Sequence, residues 1–283
     1  MKLRSRLIQA NSRASLHYPR HAILAKEVSN RLISRLSLIR FQPKSMLDLG
    51  AGTGILTHQL ERQFPKVPLY VIDITLPMLT QARRHKPWFS SQRYIVADAH
   101  TLPFPDHSID FICSNFLFEW TPDINKIIAE IYRVMKPGGL LLFSTLGRDT
   151  LKELKQSWAS VDHDIHVNPL PDMHDIGDNL VQAGFQDPVV DMEFFTLRYP
   201  TVKHLIRELK NLGSIPVQTN NHLTGKTHWQ SMEKHYLNNY TSANRINATF
   251  EIIYGHAFIP MQKKTEQGTL IPLTLLRANL ASI

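Results

Sequence analysis

A single cysteine, Cys113, stands among the 283 residues, which rules out an intramolecular disulfide framework and favours a reducing compartment. The apolar run from Ile109 to Cys113 makes this thiol a buried strand residue rather than a nucleophile. No apolar stretch approaches the roughly 20 residues that cross a bilayer, so no membrane-spanning helix is expected. The first sixteen residues lack acids and lack the apolar core of a secretory signal. Their Arg and Ser content suits a transit peptide or a basic lead-in to a helix, and the cytoplasm is the expected location. Internal repeats and low-complexity stretches are absent.

Acidic residues are scarce at one end only. Residues 1–44 hold ten Lys and Arg against one acid, Glu27, leaving 22 basic and 23 acidic residues in the remainder. The formal charge of +8 therefore resides in the N-terminal arm. Such an asymmetry suits an acidic partner, or a solvated amphipathic helix with no partner. No RNA-binding module accompanies it, so nucleic acid is not the expected partner.

Helical spacing at 24, 28, 32 and 36 predicts an amphipathic helix over His21 to Leu38. Short apolar strands are expected at 45–50, 69–72, 93–97, 109–114 and 140–145. Helices at 55–64, 77–85 and 124–135 are expected among them, and Pro137-Gly138-Gly139 reads as a turn before the last strand. This alternation predicts an α/β fold with a doubly wound, mostly parallel, Rossmann-like sheet. Ligands of such sheets bind at the carboxyl ends of the strands. After Thr145 the rhythm changes to helices at 149–161, 172–183, 201–212 and 229–240, with strands at 189–199 and 248–258. Polar loops are expected at 163–171 and 216–228, and an apolar tail at 270–283. The organisation expected is a basic helical arm (1–44), a ligand-binding core (45–145), substrate-side helices and last strands (146–260), and a tail (261–283).

The chemistry-bearing residues sit at the expected strand ends. Leu47-Asp48-Leu49-Gly50-Ala51-Gly52-Thr53-Gly54 is a glycine turn between strand and helix, spaced unlike the G-x-G-x-x-G of dinucleotide sites. Asp73 closes the second strand, where a carboxylate can take both hydroxyls of a ribose. Asp98 with Ala99 closes the third and can accept from an adenine amino group. Ser114-Asn115-Phe116 closes the fourth. Any one acid alone could be a helix cap.

The run LDLGAGTG, VID, VADAHTLPFPDHSIDFI, SN and IYRVMKPGGLLLFST resembles the class I S-adenosylmethionine-dependent methyltransferases over about residues 45 to 145. That resemblance implies that Asp48, Gly50, Gly52, Gly54, Asp73, Ile74, Asp98, Ala99, Asn115 and Phe116 hold S-adenosylmethionine. Outside the core, RASLHYPRHAILAKEV, DITLPMLTQAR, FEW, STLGRDTLKELKQSWASVD and RELKNLGSI look like the biotin-pathway malonyl-[acyl-carrier protein] O-methyltransferases. This second likeness implies methylation of the free carboxylate of a malonyl thioester on acyl carrier protein. It also implies that His17 and Tyr18 close over the site and that Trp120 forms a wall. Arg148, Lys152 and Lys210 are the cations proposed to meet the substrate or its acidic carrier. A carboxylate is already deprotonated at neutral pH, so no catalytic base is required.

Two other readings stand beside this one. One is a methyltransferase with a different small acceptor. The other is a non-methylating hydroxylase or assembly factor, because Gly147 to Leu154 is also similar to a mitochondrial complex I assembly factor that hydroxylates arginine. No metal site is expected: His163, His166 and His174 form no familiar ligand triad.

Overall fold

The computed structural model describes residues 2–84, 86–121, 123–213 and 225–261. Most of the expected polar loop at 216–228 and the whole tail beyond Met261 lie outside them. In chain order the elements begin with α1 (Lys2–Ala14), α2 (Tyr18–His21), α3 (Ile23–Leu36), β1 (Met46–Leu49), α4 (Ile55–Gln63) and β2 (Leu69–Asp73). They continue with α5 (Leu76–Arg84), β3 (Gln92–Val96), β4 (Ile109–Asn115), a 3₁₀ turn (Phe118–Trp120), α6 (Ile124–Val134) and β5 (Met135–Leu146). The remainder is α7 (Lys152–Ala159), α8 (Met173–Gln182), β6 (Gln186–Tyr199), α9 (Val202–Asn211), α10 (Lys226–Tyr240), β7 (Thr241–Ser242) and β8 (Arg245–Phe258).

The sheet runs β3-β2-β1-β4-β5-β8-β6, with β7 paired to β8. The first five strands are parallel, and β8 enters antiparallel between β5 and β6. Strands after the core thus complete the same sheet. Because β1 pairs with both β2 and β4, the strand order reverses there, and a crevice opens at the carboxyl ends.

Period-two alternation divides the core. Met46, Phe111, Cys113, Leu140 and Leu142 join the cluster under α3, α4, α7, α9 and α10. Leu47, Leu49, Ile112, Leu141 and Phe143 join the cluster under α6 and α8. Both faces of the central strands are buried, which explains their unbroken apolar composition. In α6, Ile124, Ile127, Ile128, Ile131 and Val134 form one apolar stripe, and Asp123 caps its start by accepting from the Lys126 amide at 3.1 Å.

Local differences from expectation have physical causes. The helix expected over 21–38 is interrupted at Ala22, whose ψ of 41° leaves the helical region, giving a one-turn α2 and a separate α3. Pro137-Gly138-Gly139 does not form a turn between α6 and the strand but lies inside β5, which starts at Met135 with a register irregularity opposite Ile109–Phe111. Gly138 supplies a φ of +74° there, a conformation that glycine adopts freely. The first thirteen helical residues, expected as a lead-in, form a helix of their own.

Part of the basic arm is neutralised within the chain. Arg35 pairs with Asp191 of β6 at 2.8 Å and lies over the Tyr254 ring at 3.7 Å. Arg31 pairs with Glu27 and Glu193. These cations fasten α3 to the β6–β8 side of the sheet rather than standing free for a partner. No described helix is long and apolar enough to cross a membrane.

Phe143 and Gly255 face one another across the β5–β8 ladder, where an added Cβ on Gly255 would lie 2.2 Å from the Phe143 ring. Gly255→Ala should therefore destabilise the fold by about 1–3 kcal/mol, as overpacking does. Urea unfolding should show a lower midpoint with an unchanged slope.

Candidate active site

Two cavities meet beyond the carboxyl edge of the sheet. The first, of about 350 Å³, is lined by Asp48 to Thr53, Ile72 to Ile74, Ala97 to His100 and Asn115 to Leu117. The second, of about 450 Å³, lies under α2, α7 and α9 and is mostly apolar. Both fall in the size range of small-molecule sites. Tyr18, Ala25, Phe116 and Trp120 line both chambers and so mark the boundary between them.

The glycine turn is held by the strand beside it. Gly52 has a φ of +53°, and its amide donates to Asp73 Oδ2 at 2.9 Å, while Asp73 Oδ1 accepts from the Thr75 amide at 2.7 Å. Gly54 sits at φ +83° at the start of α4, where a Cβ would lie 2.9 Å from the Ala82 Cβ. Only glycine satisfies both the backbone angle and the contact with α5.

Buried carboxylates give this first chamber its character. Burial pushes the Asp48 carboxyl up to about 7, with the charge of Asp73 adding to the rise and the Thr57 hydroxyl opposing it. Burial also raises Asp73, against the hydrogen bonds from Thr75 and Gly52. Partial burial of Asp98 works the same way but is outweighed. The amide and ring of His100, at 3.0 and 2.7 Å, and the charge of Arg4 hold Asp98 below its usual range. Two buried oxygens, Asp48 Oδ1 and Thr53 Oγ1, have no hydrogen-bond partner among the described residues. Such atoms ask for a polar ligand.

These features fit the donor that the sequence resemblance implies. S-adenosylmethionine carries a ribose diol, an adenine amino group, an ammonium and a sulfonium. The chamber offers acceptors at Asp48, Asp73 and Asp98 and an open space beside Gly52, where a Cβ would meet nothing within 4 Å. A bound cation would favour the ionised forms of Asp48 and Asp73.

The other expected residues fall in different places. Ile74 and Ala99 line the first chamber. Asn115 does too, but its side chain is already engaged: it donates to the Ala25 carbonyl at 2.9 Å and accepts from Ser144 at 2.7 Å. Phe116 has a φ of +61°, and its carbonyl accepts from the Trp120 indole at 3.0 Å. This left-handed residue after β4 brings the ring to the boundary between the chambers.

Tyr18 stands at that boundary, while His17 is exposed and lines neither chamber. Its one-turn helix directs Tyr18 and His21 inward instead. Arg148 and Lys152 are exposed and also line neither chamber. The reason is the face of α7: Leu151, Leu154 and Trp158 turn toward the cavity, leaving Lys152 on the outer side and Arg148 paired with Asp172 at 3.0 Å. Lys210 lines the mouth of the second chamber. His166 stacks on Trp158 at 3.7 Å and bonds Asp162 at 2.8 Å, whereas His174 serves the Asp172 cap of α8.

Sequence reasoning missed two groups. Arg4, Leu7, Ile8 and Asn11 line the first chamber from α1, and Arg4 pairs with Asp98 at 2.9 Å. Their spacing of three, one and three residues is one helical face, a signal present in the sequence. Glu119 lines the second chamber. An acid between two aromatics directly after a strand was the available sign.

Residues 47–143 match the family model described as a methyltransferase domain. The chain is 39% identical over 274 residues to the malonyl-[acyl-carrier protein] O-methyltransferase of Gallionella capsiferriformans, covering 93% of each. It is 36% identical over 278 residues to the one from Legionella pneumophila, covering 97% of this chain and 98% of that one. The fold is similar to a SAM-dependent methyltransferase from Thermotoga maritima (TM-score 0.54, 15% identity, 89% of this chain and 99% of that chain). It is also similar to phosphoethanolamine N-methyltransferase 2 of Haemonchus contortus, solved with S-adenosyl-L-methionine (TM-score 0.53, 22% identity, 82% and 53% covered).

Asp73→Ala should weaken S-adenosylmethionine binding by about tenfold to a hundredfold, since it removes a charge-assisted acceptor and frees the Gly52 amide. Isothermal calorimetry checks this. For Asp48, the unfolded value of 3.8 lies below the folded value of about 7, so ionisation penalises the folded chain progressively between those pH values. The stability difference between Asp48→Asn and the parent should accordingly shift in favour of the variant from about pH 4 to about 7 and then level off. Ligand-free thermal unfolding across pH measures it.

Proposed function

Because this chain belongs to the malonyl-[acyl-carrier protein] O-methyltransferase family, we propose that it esterifies the free carboxylate of a malonyl group carried on acyl carrier protein. The protein is an S-adenosylmethionine-dependent methyltransferase. The observation that carries the acceptor reading is the second chamber, apolar and larger than the first, joined to it at Tyr18, Phe116 and Trp120. Family membership over nearly the whole chain favours carboxyl methylation over the hydroxylase reading.

When bound, the donor supplies a methyl group on a positively charged sulfur, an electrophile for an anionic oxygen. Asp73 and Asp98 would hold its nucleoside part, and the glycine turn with Asp48 and Thr53 its amino-acid part. On the acceptor side, Leu146, Leu151, Leu154 and Trp158 exclude water. Exclusion of water matters because a hydrated carboxylate is a weak nucleophile and a dry one is strong. Tyr18, Phe116 and Trp120 restrict the passage between the chambers, which sets the approach of oxygen to methyl carbon. Buried and close to Glu119 and Asp73, the Tyr18 phenol is pushed above its ordinary value and stays a neutral hydrogen-bond donor.

The carrier approaches from the side of α9. Lys203, Arg207 and Lys210 are exposed on that helix, and Lys210 reaches the chamber mouth. Strongly acidic carrier proteins are steered by such a face more than they are held by it. Arg148 and Lys152 belong to the outer surface and are proposed only as carrier contacts. Work on a carrier-bound biosynthetic intermediate suits the cytoplasmic setting expected from the sequence.

Incubation with donor and malonyl-acyl carrier protein should leave the carrier heavier by one methyl in place of a proton, read by mass spectrometry. No mass gain at saturating donor would reject this acceptor. Malonyl-CoA in the same assay should react with a higher KM and a similar kcat if α9 contributes only steering.

A further inference from the structure

Glu119 occupies the 3₁₀ turn between Phe118, which is buried against Phe143, and Trp120 at the chamber boundary. It lines the acceptor chamber and not the donor chamber, so it stands one residue to the acceptor side of the passage. The buried Thr145 at the end of β5 donates to Glu119 Oε2 at 3.1 Å and fixes the carboxyl. No cation pairs with it among the described residues. An acid is a costly group to place in an apolar cavity. Neither the donor nor the carrier accounts for it.

We propose that Glu119, as the neutral acid, donates a hydrogen bond to the acceptor carboxylate and so determines the specificity of the site for a free carboxyl group. This rests on the carboxyl-methylation reading above. Burial pushes the Glu119 carboxyl up to about 8, above the opposing hydrogen bonds from its own backbone and Thr145, so it keeps its proton at neutral pH. A second carboxylate entering the same dry space raises it further, as two carboxyls sharing a site do.

The chemistry favours a neutral donor here over a cation. An Arg or Lys would bind the carboxylate more tightly but would withdraw charge from the attacking oxygen. After transfer the ester is neutral, and a buried cation would then be left without a partner. Glu119 keeps its proton before and after and leaves no stranded charge. It is a specificity group, because an acyl chain ending in a methyl or an ester offers its O–H no anionic oxygen.

Other titratable groups facing this chamber are Tyr18 and His21 of α2, His166, Tyr199 of β6, and Glu208 and Lys210 of α9. Tyr199 donates to Glu208 at 2.8 Å, and His21 lies 4.0 Å from the same carboxylate. His166 is committed to Asp162. The variant test separates Glu119 from all of them.

The experiment measures kcat/KM for malonyl-acyl carrier protein from about pH 6.5 to about 9.5 in the parent, Glu119→Gln and Glu119→Ala. It also titrates the malonyl carrier calorimetrically into protein loaded with S-adenosylhomocysteine, where no transfer occurs. Saturable S-adenosylhomocysteine binding by each variant shows that it is folded. In the parent, kcat/KM should fall above about pH 8, and carrier affinity should fall with it. Glu119→Gln, a weaker but permanently neutral donor, should lose a few-fold at neutral pH and lack the alkaline fall. Glu119→Ala should lose about tenfold or more in KM at neutral pH. An unchanged alkaline fall in Glu119→Gln, or parental kinetics in Glu119→Ala, would overturn the role of Glu119 while the acceptor stands. A parent that methylates no malonyl carrier at any pH would overturn the acceptor and this inference together.

Discussion

The hydrogen bond from the Gly52 amide to Asp73 ties the turn after β1 to the end of β2, and the donor chamber depends on it. Parallel strands place their carboxyl ends at one edge, but they do not by themselves set the loops that leave that edge. Asp73 does so by accepting from two backbone amides, one on its own loop and one on its neighbour's. The glycine turn then keeps an open flank where the donor's backbone contacts belong. If the same carboxylate takes the ribose hydroxyls, as proposed, binding and local folding become one event.

Charge is distributed with the same economy. The donor chamber concentrates acids at Asp48, Asp73 and Asp98, which suits a ligand bearing two cationic centres. Three cations of the basic N-terminal arm answer acids elsewhere in the chain: Arg4 meets Asp98, Arg31 meets Glu193, and Arg35 meets Asp191. An ion pair with an exposed partner contributes little to stability, so a ligand that took Asp98 from Arg4 would do so at small cost. The second chamber holds its acid, Glu119, in an apolar setting whose burial pushes the carboxyl upward. A bound cation would favour the ionised forms of Asp48 and Asp73 on one side of Tyr18 and Trp120, whereas an anion entering the other chamber would hold the proton on Glu119.

The fold was legible because its signals are short-range. Apolar runs four to seven residues long, glycine turns after them and helical stripes between them are properties of neighbours in sequence, and each of the five parallel strands fell where the pattern put it. Boundaries failed where one residue's backbone decided the matter, as at Ala22 and within Pro137-Gly138-Gly139. Among the named site residues, those at strand ends line the first chamber, since a parallel sheet converts order along the chain into position along an edge. Arg148 and Lys152 lie outside both chambers for the complementary reason. A cation in a helix is attractive by type, and only the packing of Leu151, Leu154 and Trp158 against the cavity shows that the cations face away.

By itself the sequence determined the order of elements, the mostly parallel sheet, the glycine turn and the two acids, Asp73 and Asp98, at its strand ends. Those follow from local periodicity and from the few backbone angles that glycine permits. Tertiary structure alone decided that α1 covers the donor chamber, that Asn115 is spent on Ala25 and Ser144, and that Glu119 is buried beside the passage while His17 is left outside it. Each of those outcomes is set by contacts between residues far apart in the chain. Burial and charge at a point depend on everything packed around it, and no window of neighbouring residues contains that information.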